Sequence, residues 1–233
     1  MPTAIDRHEV QRLLREENAQ LVEVLPQKEY EWAHLAGAVH LPLKDLNATT
    51  AARLERGRPV IVYCNNTECD MSPRAAWRLE RLGFPAVYDY VAGKMDWLSY
   101  GLPYEGNALL VGDLVRRDVP TCSVGDRLGD VRAKLAGQDL VVVLDDDRVV
   151  QGLVRGRALE GPDEALVEEA MRFGITTVRP SEDVATLTGR MRRAGVERIL
   201  VTSSDGRLLG LLLRAEAEAA LDRHRAQHVG AEP

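Results

Sequence analysis

A thiol placed where an apolar strand ends and a helix is about to begin can act as a nucleophile. Cys64 has that placement, in Val60-Ile61-Val62-Tyr63-Cys64-Asn65-Asn66-Thr67-Glu68-Cys69-Asp70-Met71-Ser72-Pro73-Arg74-Ala75-Ala76. The thiolate is the reactive form, and the free N–H groups and positive dipole end of a helix N-terminus stabilise it. Such a setting lowers a cysteine pKa from about 8.5 toward neutrality. The expected chemistry is covalent catalysis at sulfur. The same residue also reads as a buried structural cysteine, because free Cys packs as a small hydrophobe. Cys69, five residues on, is near enough to close back on the first sulfur as a disulfide, or to pack beneath the loop.

The elements that must hold these thiols follow from the flanking pattern. The short β-branched run up to Tyr63 predicts a strand buried on both faces of a parallel sheet. Ser72 is a favourable N-cap, Pro73 suits the first helical position, and Leu79, Leu82 and the alanine pair give an apolar stripe ending at Gly83. A metal site built from Cys64, Cys69, His34 and His40 is not expected, because this half has no C-x-x-C or H-x-x-x-H spacing. His34 reads instead as fixing a turn or packing beside the sheet. His224 and His228 lie four apart on one face of a terminal helix, in a polar segment expected to fray.

The first 106 residues resemble a single-domain rhodanese along nearly their whole length. Leu21-Val22-Glu23-Val24-Leu25 is similar to the family's first core strand. Ala33-His34-Leu35-Ala36-Gly37-Ala38-Val39-His40-Leu41-Pro42-Leu43 is similar to its GHIPGAINIP segment. Leu82-Gly83-Phe84-Pro85-Ala86-Val87-Tyr88-Asp89-Tyr90, Gly93-Lys94-Met95-Asp96-Trp97 and Gly101-Leu102-Pro103-Tyr104-Glu105-Gly106 follow in order. The resemblance implies a sulfurtransferase in which Cys64 takes a sulfane sulfur from a small donor such as thiosulfate, holds it as a persulfide and passes it to a thiol acceptor. Its active loop would comprise Asn65, Asn66, Thr67, Glu68, Asp70, Met71 and Ser72, with Cys69 a second catalytic thiol able to resolve the persulfide. If Cys64 is buried and inert, Cys69 is the next candidate nucleophile. No cofactor is required for this chemistry. Three departures from the family pattern matter. Glu68 and Asp70 occupy the loop, and two carboxylates near the sulfur oppose its ionisation and repel an anionic donor, which implies slow thiosulfate turnover. The nearest arginine, Arg74, falls inside the helix. Glu23 and Leu25 replace the family's early Asp and Arg, which changes any network that would orient the loop.

The second half carries an internal repeat. The segment from Val111 to Thr121 aligns with that from Val167 to Thr177, an offset of 56, and strand pairs around Gly152 and Gly210 align at an offset of 58. Repetition at this period means two supersecondary units, each with an apolar face that its sibling covers. Each copy reads as a short helix, an extended Thr-containing segment, an amphipathic helix, and a β-hairpin followed by a helix. The amphipathic helices are placed at 127–135 and 183–194, and the hairpin turns at 145–148 and 203–206. This is similar to a tandem pair of CBS domains, with copies over about 108–160 and 165–221. The resemblance implies a homodimer formed through the CBS domains, with two readings of the pair: an adenine nucleotide bound between the copies, or a purely structural, dimerising role. The family's Ser/Thr and ribose-binding Asp positions hold Arg155 and Ala158 in the first copy, and Leu213 and Glu216 in the second. Arg155, Arg157 and Arg214 remain to meet a phosphate, with Glu216 a lengthened substitute for the Asp.

The expected architecture is therefore α/β: a rhodanese-like parallel sheet flanked by helices over residues 1–106, an α/β tandem CBS pair over 107–221, and a polar tail over 222–233. Ahead of the first core strand, residues 5–17 read as a surface helix with Val10, Leu13 and Leu14 turned inward. A chain of 233 residues, 45% hydrophobic, can form two ordinary cores. Its net charge of −6, without a basic stripe, argues against nucleic-acid binding. Neither a span of ~20 apolar residues nor an N-terminal apolar core is present, so no membrane contact is expected. Three cysteines, an odd number, do not form a disulfide framework, which points to a reducing cytoplasm, with Cys122 simply packed. Two functions remain open: a sulfurtransferase or persulfide carrier regulated or dimerised by its CBS pair, and an inactive rhodanese fold acting as a binding or sensor module.

Overall fold

The computed structural model describes residues 2–228 except Ala136, and divides into two compact units, one ending at Ala108 and the other beginning at Leu109. In the first unit, β1 (Thr3–Ile5), α1 (Arg7–Glu16), β2 (Gln20–Glu23), α2 (Gln27–Trp32), β3 (His34–Leu35), β4 (Val39–His40), α3 (Ala48–Ala51), β5 (Val60–Tyr63), α4 (Met71–Arg81), β6 (Val87–Tyr90), α5 (Gly93–Ser99) and β7 (Tyr104–Glu105) follow one another. Five strands form a parallel sheet in the order β1-β6-β5-β2-β4, and β3 pairs antiparallel with β7. The residues of β2 and β5 are all buried, as strands covered on both faces must be.

Strand alternation divides the core of this unit. Val22, Val60, Val62, Cys64 and Val87 face α4, where Ala75, Ala76 and Leu79 meet them. Leu21, Ile61, Tyr63 and Tyr90 face the other way, against Val10 and Leu13 of α1. Small alanines on α4 let the helix lie close to the sheet. Two boundaries differ from the expected ones. Ile5 belongs to an edge strand parallel to β6, so the first helix begins only at Arg7, capped by Asp6. α4 begins at Met71, one residue before the expected cap: Ser72 lies within its first turn and is buried, because its side chain is taken up by the core beneath.

The second unit contains β8 (Thr121–Ser123), α6 (Leu128–Lys134), β9 (Leu140–Leu144) and β10 (Val150–Arg155), then α7 (Val167–Ala170), β11 (Thr177–Val178), α8 (Val184–Arg193), β12 (Arg198–Thr202), β13 (Leu208–Leu213) and α9 (Arg214–His228). Each copy is a three-stranded mixed sheet with one parallel and one antiparallel pairing. The hairpin of the first copy is followed by a short 3-10 segment, Gly156–Glu160, rather than by a full helix. In the second copy α9 continues through the segment expected to be a frayed tail as far as His228, and residues 229–233 lie outside the described residues.

The leading segment of each copy packs on the other copy. Val111 is fully buried with Val178, Leu187, Val201 and Leu212 of the second copy, while Val167 is buried with Val131, Val143 and Val154 of the first. Backbone bonds fix the exchange: Arg116 and Leu211 bond each other through N–H and C=O at 2.9 Å, and Leu153 and Arg172 do the same at 3.1 and 2.9 Å. The glycines of the repeat permit these crossings. A Cβ on Gly210 would stand 2.1 Å from the Arg116 carbonyl oxygen, and one on the equivalent Gly152 would stand 2.8 Å from that of Arg172.

Candidate active site

The sheet register builds the site. β5 and β6 align Val62 with Asp89 and Tyr63 with Tyr90, so Cys64 lies one residue past the last ladder pair, on the same face as Val62 and Asp89. Its backbone is held by the start of α5: the Lys94 N–H donates to the Cys64 carbonyl and the Met95 N–H to that of Asn65, each at 2.9 Å. Gly93 makes this approach feasible. It has φ +65°, and a Cβ there would lie 2.6 Å from the Cys64 oxygen.

The Cys64 side chain points into the core below α4 and is fully buried. Its thiol donates to the Cys69 carbonyl at 3.3 Å and lies 3.4 Å from the Ser72 hydroxyl. Burial, reinforced by the neighbouring Cys69 thiol, pushes the Cys64 pKa up to about 11, against the opposing pull of the Ser72 hydroxyl and backbone N–H. The expected lowering toward neutrality is thus overturned. One amide and one hydroxyl serve the sulfur from the first turn of α4, and desolvation outweighs both. Nor are Glu68 and Asp70 the source of the rise, since both are exposed and Asp70 pairs with Arg74. Cys64 and Cys69 are both free thiols, and Cys69 is the more exposed of the two. Of the remaining loop residues, Asn65 and Met71 are half-buried, and the Asn66 side chain accepts from the Glu68 N–H.

Behind the loop, Glu23 and Lys94 form an ion pair at 2.9 Å with neither side chain exposed, and the same ammonium donates to the Glu29 carbonyl at 2.9 Å. Glu23, at the position of the family's early Asp, is thus paired with Lys94, and the pair anchors the helix that grips Cys64. Burial raises the Glu23 carboxyl, with Lys94 opposing. Asp89 is buried as well, with no partner at Oδ1. Neither Lys94 nor Asp89 stands out by motif. The available signal was a carboxylate at a core-facing position of an apolar strand, which demands a partner.

His34 stacks on Tyr30 at 3.6 Å between ring centroids and bonds the Tyr30 carbonyl at 2.7 Å, while His40 stacks on the same ring and bonds the Leu25 carbonyl. Both histidines are therefore engaged in packing the turn. Among the described residues no group of three metal-ligating side chains occurs, and no helix is long and apolar enough to cross a membrane. Cys122, in β8, packs on the first copy's core, and burial raises its pKa to about 11.

Residues 6–100 match the rhodanese-like domain family, and 111–159 and 167–221 match the CBS domain. The chain is a rhodanese-like domain followed by two CBS domains. Its first unit is similar to the HTH-type transcriptional regulator Rv0324 of Mycobacterium tuberculosis, 33% identical over 105 residues, 45% of this chain and 46% of that one. The thiosulfate sulfurtransferase GlpE of Coxiella burnetii is 28% identical over 96 residues, 41% of this chain and 87% of that one. The chain thus spans less than half of the first relative and most of the second. Among solved structures, the rhodanese-like domain of the Anabaena protein Alr3790 is 28% identical, covering 46% of this chain and 80% of its own, with a TM-score of 0.41. The CBS domains of a Streptococcus pneumoniae transcriptional regulator are 21% identical, covering 48% and 98%, with a TM-score of 0.44.

A cleft of about 490 Å³ lies in the second unit, lined by Leu153, Arg155, Arg172, Phe173, Arg190 and Arg198 among others. Of the residues expected to meet a nucleotide, Arg155 lines it. Arg214 and Glu216 do not: Arg214 bonds the Val196 carbonyl and Glu218, and Glu216 pairs with Arg116. Arg157 lies on the exposed 3-10 segment.

Proposed function

We propose that the rhodanese-like domain is a sulfurtransferase or persulfide carrier in which Cys64 accepts a sulfane sulfur and Cys69 resolves the resulting persulfide. The observation that carries this reading is the convergence of two free thiols and the Ser72 hydroxyl at the end of β5, below the first turn of α4. With the thiol pKa at about 11, the thiolate is on the order of one part in 10⁴ at pH 7. Turnover is therefore slow, and the 65–70 loop must open before a donor reaches the sulfur. Incubation with thiosulfate should add one sulfur at Cys64, seen by intact mass and absent in Cys64→Ser. Uptake at neither cysteine in the folded protein would refute the reading.

The burial of Cys64 favours a second reading, a rhodanese fold that no longer turns over and presents a surface to a protein partner. Under it, sulfur uptake is nil in wild type and in every loop variant.

For the CBS pair, we infer a homodimerising and regulatory role with an adenine nucleotide in the Arg155 cleft. Its volume falls in the usual range of ligand sites, and of the four arginines that line it Arg190 and Arg198 already pair with Glu182 and Asp139, leaving Arg155 and Arg172 to meet a phosphate. Calorimetry with AMP, ATP and S-adenosylmethionine tests the ligand, and light scattering tests the dimer.

A further inference from the structure

The Cys64 thiol proton has two acceptors within reach, and only one of them leads onward. The Cys69 carbonyl, at 3.3 Å, can hold the proton but cannot pass it on. The Ser72 hydroxyl, at 3.4 Å, both accepts and donates. Beyond it stands Asp89, placed by the β5–β6 register on the same sheet face as Val62 and Cys64. Ser72 and Asp89 are 1% and 6% exposed, and the Asp89 Oδ1 has no hydrogen-bond partner. A buried carboxylate oxygen without a partner is costly, which gives no stability reason for an aspartate here. Among the described residues, the donor acting on Asp89 is the Ser72 side chain, which offsets part of the rise that burial imposes on the carboxyl.

We propose that Asp89 accepts the Cys64 proton through the Ser72 hydroxyl when the thiol attacks. The thiol proton moves to Ser72 Oγ as the Ser72 proton moves to an Asp89 oxygen. Cys64 becomes a thiolate and Asp89 a neutral acid, so the buried charge changes place without increasing. With thiosulfate, the thiolate forms the new S–S bond to the sulfane sulfur, and the old S–S bond breaks to release sulfite, leaving a persulfide anion. Asp89 then returns its proton by the same path. The other titratable group facing Cys64 is Cys69; the Glu23–Lys94 pair lies on the row of Tyr63, on the opposite sheet face, and Asp70 and Arg74 are exposed on α4. Asp89 is on this account a positioning residue: it acts on the sulfur through Ser72.

The proposal rests on Cys64 being the reacting thiol, and its test uses a reagent that needs no sulfur donor. The rate of Cys64 modification by methyl methanethiosulfonate is followed from pH 5 to 10 in the full chain, with peptide mass mapping to separate Cys64 from Cys69. Asp89→Asn should slow the reaction at neutral pH by about tenfold or more, since general-base help is worth at least that, and the profile should retreat toward the thiol's own ionisation. Ser72→Ala cuts the same path, should slow the reaction equally, and should add nothing in the double variant. If Asp89 acted only as a like charge, its removal would speed the reaction; an acceleration, an unchanged rate or a wild-type Cys64 that never reacts would overturn the proposal. Sulfur uptake at Cys69 alone, with the Asp89-dependent profile intact at Cys64, would sink the persulfide reading and leave the relay standing.

Discussion

Lys94 binds the site twice: its ammonium pairs with Glu23 at 2.9 Å, and its backbone N–H holds the Cys64 carbonyl at the same distance. Stability and loop placement therefore depend on one residue at the start of α5.

Lys94→Met leaves the Glu23 carboxylate buried without its counter-ion, and loss of one partner of such a pair costs about 3–5 kcal/mol. Urea denaturation at neutral pH should show this loss. It should shrink as the pH is lowered and Glu23 takes up a proton. Equal loss at both pH values would show that the ion pair is not the cause.

The two thiols raised by burial predict a late titration. In Cys122→Ser, thiolate absorbance should show a step near pH 11 that Cys64→Ser removes. The linkage has a definite sign. A group whose folded pKa lies above its unfolded value holds its proton longer when folded, so its contribution to stability is full below about pH 9 and is lost as the pH rises through about 11. A Cys64 step near neutrality would contradict the buried setting described above.

Gly93→Ala puts a methyl group against the Cys64 carbonyl at a backbone conformation that residues other than glycine rarely adopt. The strained position costs about 1–3 kcal/mol, and relief should come from displacement of the 65–70 loop. Thermal denaturation should register the loss, and hydrogen exchange should quicken at residues 64–70. Unaltered exchange there would separate Gly93 from the loop.

Val111→Ala should cost about 1.5–3 kcal/mol, two buried methyl groups at about 0.8 kcal/mol each plus the cavity they leave. The informative readout is where the protein loosens. Hydrogen exchange should rise in β12 and β13 of the second copy, not in β9 and β10 of the first, although Val111 precedes the first copy in the chain. The opposite pattern would deny the exchange of leading segments.

Much of this was legible beforehand, and the exceptions have physical reasons. The β-branched run at Val60 to Tyr63 reads as a two-sided strand and is one, and the helices at 127–135 and 183–194 form with their ends within a residue. Ser72 followed by Pro73 reads as a helix start, yet local capping preference yields to the polar group below: the hydroxyl faces Cys64 instead of closing the helix. The sign of the thiol's pKa shift is not legible, because a strand-to-helix placement shows the helix amides but not the desolvation of a fully buried sulfur, which outweighs them. The partner of Glu23 is not legible, since nothing local in the sequence pairs it with a lysine 71 residues away. Likewise, periodicity shows that Val111 and Val167 need cover but not which copy provides it.

That exchange has a bearing on biosynthesis. When β9 and β10 emerge from the ribosome, the wall that seals them, Val167 and Met171, is still inside the exit tunnel. The earlier Val111 segment, meanwhile, must wait for β12 and β13. Neither copy can mature first, and the pair should reach its native state in one late, concerted event, with a nascent first copy a natural client for chaperones.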